Sequence, residues 1–158
     1  MLQLGRETQV EALGKQWTVA RAELPVLRLF VEWIKDQLGD PFAGIEKELA
    51  LYKELLPPEE YKAKALERIK EAKDEADAIK CMDINSPIIS KWMSSVTGAM
   101  KLLHLMLKVN HPEVTEGEAA RVFSEIGVAK AMEAIADGNG KLPEGNAGAL
   151  AGTGSASA

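Results

Sequence analysis

The chain has 158 residues, 46% of them hydrophobic and 27% charged. A chain of this length forms one domain that buries roughly 68–70% of its unfolded surface, so it needs neither disulfides nor a structural metal. Its net charge of −5 and pI near 5.2 exclude a general phosphate-binding surface, because nucleic-acid affinity is carried by Lys and Arg. The one cysteine, Cys81, cannot form an internal disulfide, which points to a reducing compartment, the cytoplasm. As a small core or boundary residue it needs no catalytic explanation.

Residues 1 to 10 lack a charged start followed by an apolar run, so no signal peptide is expected. Residues 8 to 20 alternate Val10, Ala12, Trp17 and Val19 with polar positions around Leu13-Gly14-Lys15, which predicts a short β-hairpin. Two strands alone are marginal, so the ribbon must lie on helices or pair with another chain.

A first helix is predicted from Leu24 to Leu38, with Pro25 at its first turn and Gly39 as its C-terminal cap. Its apolar arc is wide: Leu27, Phe30, Val31, Trp33 and Ile34 leave only Arg28, Glu32, Lys35 and Asp36 as a polar face. Such a helix is either the central core element or one that also meets a partner. A second helix is expected over Pro41 to Leu56 and ends at Pro57-Pro58. The third, from Pro58 to about Cys81, opens with Glu59-Glu60 and carries an Ala-rich seam of Tyr61, Ala65, Ile69, Ala72, Ala76 and Ile79. Its lysines alternate with Glu and Asp, the mark of a solvated helix face.

Ser86-Pro87 begins a fourth helix, predicted to run unbroken to Val109 and to form the buried centre. Lys91, Lys101 and His104 interrupt its apolar run, so it is not a membrane span, which needs about 20 nearly uncharged residues. Its methionines, Met93, Met100 and Met106, either fill core or mark an adaptable groove. Thr115-Glu116-Gly117-Glu118 forms a capping box for a fifth helix over Glu116 to Ile126, and Gly127 separates it from a last helix over Val128 to Asp137. From Gly138 onward the chain is mostly Gly, Ala, Ser, Asn and Pro, a composition expected to be disordered. The fold class is therefore mainly α: a bundle of five to six helices over residues 1–137, with an N-terminal hairpin and a tail over 138–158.

No phosphate-binding glycine loop, cysteine pair with metal-ligand spacing or nucleophile elbow is present. His104 reads as a core or boundary residue, and His111, before Pro112, is expected to face water. Asp137-Gly138-Asn139-Gly140-Lys141 resembles the start of a calcium loop. The positions that need an oxygen ligand, a Gly and a Glu hold Lys141, Leu142 and Gly148. The paired acids Glu59-Glu60 and Asp74-Glu75 lie on exposed faces with no pocket between them. These absences predict a non-enzymatic protein without cofactor or metal, which acts by binding other proteins.

Three segments together carry a family resemblance. They are Leu13-Gly14-Lys15-Gln16-Trp17-Thr18, the Trp-bearing helix ending Leu38-Gly39-Asp40-Pro41, and the run from His111-Pro112 to Ala119-Ala120. Over roughly residues 10 to 137 the chain resembles the small tail assembly chaperones of long-tailed bacteriophages. The resemblance implies binding of the helical tape-measure protein, recruitment of tail tube protein, and residence in the host cytoplasm. It transfers no catalytic or ligand residue. It also implies a longer product made by a −1 frameshift, for which Gly140-Lys141 is the expected site. Helix-in-groove recognition would use Leu27, Phe30, Trp33 and Ile34, with Trp92, Met93 and Met100 as a second patch; each of these positions serves equally well as core. Self-association is compatible with the same surfaces. The rival expectations are a head–tail connector or other small virion protein, and a generic helical interaction module.

Overall fold

The structure, a computed structural model, describes residues 5–139. The tail over 140–158, with Gly140-Lys141, lies outside them. The elements run β1 (Thr8–Ala12), β2 (Lys15–Val19), α1 (Leu24–Leu38), α2 (Ile45–Leu55), α3 (Pro58–Lys80), α4 (Pro87–Met93), α5 (Val96–Asn110), α6 (Glu116–Ile126) and α7 (Val128–Asn139). The fold is mainly α with an N-terminal hairpin, as predicted. It divides into two compact units: residues up to Phe30 together with those from Pro87 onward, and residues Val31–Ser86. The boundary falls within α1.

The first unit is built around α5, whose Ala99, Leu102, Leu103, Met106 and Leu107 are all buried. Helices α6 and α7 add Val122, Phe123, Ala131, Ala134 and Ile135 to that core. The hairpin lays Ala12, Trp17 and Val19 on it. The antiparallel register pairs Ala12 with Lys15 and Val10 with Trp17, so Leu13 and Gly14 form a two-residue turn. Both have positive φ (54° and 72°), the geometry that matches the natural twist of a ribbon. Glycine takes that conformation without penalty, whereas Leu13 does so at a cost. Its N–H is held by the Glu125 carboxylate on α6 at 2.9 Å.

Two-residue turns fix which backbone groups point outward. Here Thr18 and Ala20 present their N–H groups along the free edge of β2. Thr18 N–H donates to His111 Nε2 at 3.0 Å, and Ala20 N–H donates to the Met106 carbonyl at 3.2 Å. His111 therefore does not simply face water. It caps α5, covers the edge of β2, and packs on Trp17 with ring centroids 5.0 Å apart. The sequence signal was hidden because the partner lies 93 positions away.

The predicted fourth helix is two helices. Ser95 is extended (φ −83°, ψ 152°); its Oγ accepts from Gly98 N–H at 3.0 Å and its hydroxyl donates to the Trp92 carbonyl at 2.7 Å. This local competition for backbone groups ends α4 and starts α5. Gly98 is required at the join, because any Cβ there would collide with the Trp92 carbonyl. The last helix also runs past its predicted end. Gly138 is helical and buried beside Met106 and Ala20, and the carbonyls of Asp137 and Gly138 accept from Arg6 N–H (2.8 Å) and Ala22 N–H (3.0 Å). The ribbon thereby satisfies carbonyls that a helix end leaves unpaired.

The second unit contains the later half of α1 and the helices α2 and α3. Helix α2 starts at Ile45 rather than Pro41. Asp40 Oδ1 accepts from Phe42 N–H at 2.9 Å in a local turn, and Gly44 takes a left-handed conformation (φ 79°) that a helix cannot include. Among the described residues, no helix is long and apolar enough to cross a membrane.

Candidate protein-binding surfaces

Helices α2 and α3 form a hairpin joined at Leu56-Pro57. A polar network pins it. Glu48 Oε2 accepts from Arg68 Nε at 3.0 Å, and Glu48 Oε1 accepts from the Tyr52 hydroxyl at 2.8 Å. The Tyr52 hydrogen bond, then that of Arg68, holds the Glu48 carboxyl below its ordinary range, and the same bond from Glu48 holds the Arg68 guanidinium above its own. Burial on the unit is small. Its buried apolar side chains are Val31, Ile34, Ile45, Ala72 and Met82, of which only Ile34 and Ala72 are fully buried.

The flanks of both helices carry apolar side chains that nothing covers among the described residues. Leu51 and Leu55 stand one turn apart on α2 and are 52% and 69% exposed. Leu66 and Ile69 stand one turn apart on α3, at 70% and 42%. Isolated exposed leucines are ordinary on protein surfaces. Paired ones, on helices whose own core is this thin, are what helix-in-groove recognition uses as anchors.

The residues singled out from sequence are distributed differently. Phe30 and Ile34 are fully buried and belong to the core in this conformation. Leu27, Trp33, Trp92, Met93 and Met100 are half-buried. Trp92 and Met93 close α4, which packs on the α5 that bears Met100, so these three sit on adjoining elements. Leu27 belongs to the unit around α5, and Trp33 to the other. Sequence reasoning missed Leu51, Leu55 and Leu66 because each sits beside an apolar stripe that reads as core-facing. Leu66 falls outside the Ala-rich seam predicted for α3, whereas Ile69, predicted to lie within it, is exposed.

Among the described residues, neither histidine stands beside a free carboxylate within hydrogen-bond reach. His104 is buried, with Nε2 3.1 Å from the Val114 carbonyl, so Nε2 carries the proton. Its Nδ1 lies 4.0 Å from Glu116, too far for a hydrogen bond. Glu116 is instead paired with Lys101, whose ammonium holds its carboxyl below the usual range. Cys81 is exposed at the end of α3 rather than a core or boundary residue. No group of three His, Cys, Asp or Glu residues that could hold a metal ion occurs among the described residues. No family model, curated protein or solved structure matches the chain.

Proposed function

We propose that the chain is a non-enzymatic binding protein of the tail-assembly-chaperone type, which holds a helical tape-measure protein soluble while tail tube protein gathers on it. The observation that carries the binding role is the α2–α3 hairpin, with exposed Leu51, Leu55, Leu66 and Ile69 on helices that bury little of themselves. Apolar anchors of this kind hold an amphipathic helix, and the surrounding Glu and Lys keep the free protein soluble. The identity of the partner rests on the family resemblance.

Co-expression with the tape-measure protein of the same genome tests the reading. The tape-measure protein is expected to become soluble and to co-purify. Leu51→Glu/Leu66→Glu is expected to abolish capture with the helical circular-dichroism signal retained. A tape-measure protein that is equally soluble without the chain removes the chaperone role. Finding the chain at fixed copy number in purified particles makes it a virion component instead.

A further inference from the structure

The two edges of the hairpin are not equivalent. The edge of β2 is covered by His111 and Met106. On β1, the register turns the N–H and C=O groups of Gln9 and Glu11 outward, away from β2. Both residues are exposed, and among the described residues no hydrogen bond reaches those backbone groups. Uncovered edges are templates for another strand, and proteins usually cover them.

A groove of about 490 Å³ runs along this edge, with Thr8 to Glu11 on one wall and Ile126, Lys130, Glu133, Ala134 and Asp137 of α6 and α7 on the other. It lies wholly within the unit around α5. Its ends are pinned where Arg6 N–H meets the Asp137 carbonyl and Leu13 N–H meets Glu125. Between those pins β1 offers five residues, about 17 Å of strand. Half-buried Val10 and Ile126 supply apolar surface over the buried Ala134, and Thr8 Oγ1 is buried in the wall without a hydrogen-bond partner. The lining is mostly acidic: Asp137 is paired with Arg6 at 3.4 Å and Glu125 holds Leu13 N–H, which leaves Glu11 and Glu133 facing a single Lys130.

We propose that this groove takes an extended, lysine- or arginine-bearing peptide segment of a partner protein as a third strand beside β1. The guest makes up to four main-chain hydrogen bonds with Gln9 and Glu11. Small or β-branched side chains on its inner face meet Ile126 and Ala134, and basic side chains meet the carboxylates. A second copy of β1 matches the backbone equally well but brings Glu11 and the rest of an acidic chain with it, so charge selects against it. This surface is separate from the α2–α3 hairpin, and its fate does not depend on the chaperone reading.

Amide hydrogen exchange of the full chain tests the proposal, with a synthetic Lys-Val-Lys-Val-Lys peptide and its Glu-Val-Glu-Val-Glu counterpart as probes. The basic peptide is expected to slow exchange at Gln9 and Glu11 at least tenfold, and the acidic one to leave it unchanged. Gln9→Pro deletes the outward donor without touching the backbone bonds of the β1–β2 ladder, because Pro is tolerated where a strand N–H faces out; it gives up only the exposed Gln9–Thr18 side-chain hydrogen bond. It is expected to weaken binding at least tenfold at an unchanged melting temperature. Glu133→Lys is expected to weaken it while leaving the backbone ladder available. Unchanged exchange with the basic peptide overturns the proposal, as does equal protection by both peptides. Gln9 and Glu11 amides already protected in the free chain also overturn it; concentration-dependent protection then identifies a β1–β1 dimer.

Discussion

The unit of residues 31–86 buries five apolar side chains, Val31, Ile34, Ile45, Ala72 and Met82. In the other unit, α5 alone buries as many within 15 residues and is then wrapped by the hairpin, α6 and α7. The contrast lies in composition as well as in area. The inward seam of α3 runs through Tyr61, Ala65, Ala72, Ala76 and Ile79, and its three alanines let helices approach closely but bring little surface out of water. One unit is consolidated by core; the other is held by a polar network on a thin seam and leaves its leucines outside. A region of the second kind opens more readily, and partner-binding elements are drawn from it.

The contrast is sharpened most by Leu102→Ala. Leu102 is fully buried on α5, and its truncation is expected to lower stability by about 2–5 kcal/mol in denaturant titration. A smaller loss would mean that the unit around α5 is looser than its burial implies. His111→Leu comes next. It keeps apolar bulk against Trp17 but leaves Thr18 N–H without its acceptor, a loss of about 1–3 kcal/mol. Thr115→Ala removes the N-cap of α6 and is expected to cost about 1 kcal/mol by the same measurement.

The same capping box has a pH signature. The Thr115 backbone N–H and hydroxyl hold the Glu118 carboxyl below its ordinary range, and Lys101 does the same to Glu116. A depressed carboxylate contributes its stabilisation above the unfolded-chain value, about pH 4.3, and loses it as pH falls through the lower folded value. Amides of the first turn of α6 are therefore expected to lose protection below about pH 4, ahead of those at the centre of α5. The smallest effect belongs to the thin unit: Leu66→Ala, at 70% exposure, is expected to change stability by less than about 0.5 kcal/mol. A large loss at Leu66 would mean that this side chain is packed rather than exposed.

Local chemistry was legible where it acted alone. Gly39 and Pro25 bound α1, and Thr115 with Glu118 starts α6 at the predicted residue, because caps need only near neighbours. The break between α4 and α5 was also written locally, in Ser94-Ser95 with Gly98, but an apolar run on both sides concealed it. The role of His111 and the helical, buried state of Gly138 depend on partners 93 and over 100 positions away, which no periodicity reports. The candidate surface was the least legible part. An apolar stripe tells which side of a helix avoids water alone, not whether this chain or another covers it; thus Phe30 and Ile34, chosen as anchors, are core.

The closure of the ribbon onto α7 has a consequence for synthesis. Arg6 and Asp137 are 131 positions apart, and the contact between them completes the unit around α5. At typical elongation rates of 5–20 residues per second, the hairpin waits roughly 7–26 s for α7 to leave the ribosome. Until Met106 and His111 emerge it is a two-stranded ribbon of marginal stability with both edges open, and until α7 follows its Arg6 end stays unpinned. The nascent chain is thus most exposed to mispairing before its last helix appears, and a factor that occupies the β1 edge during translation would shield it when shielding matters most.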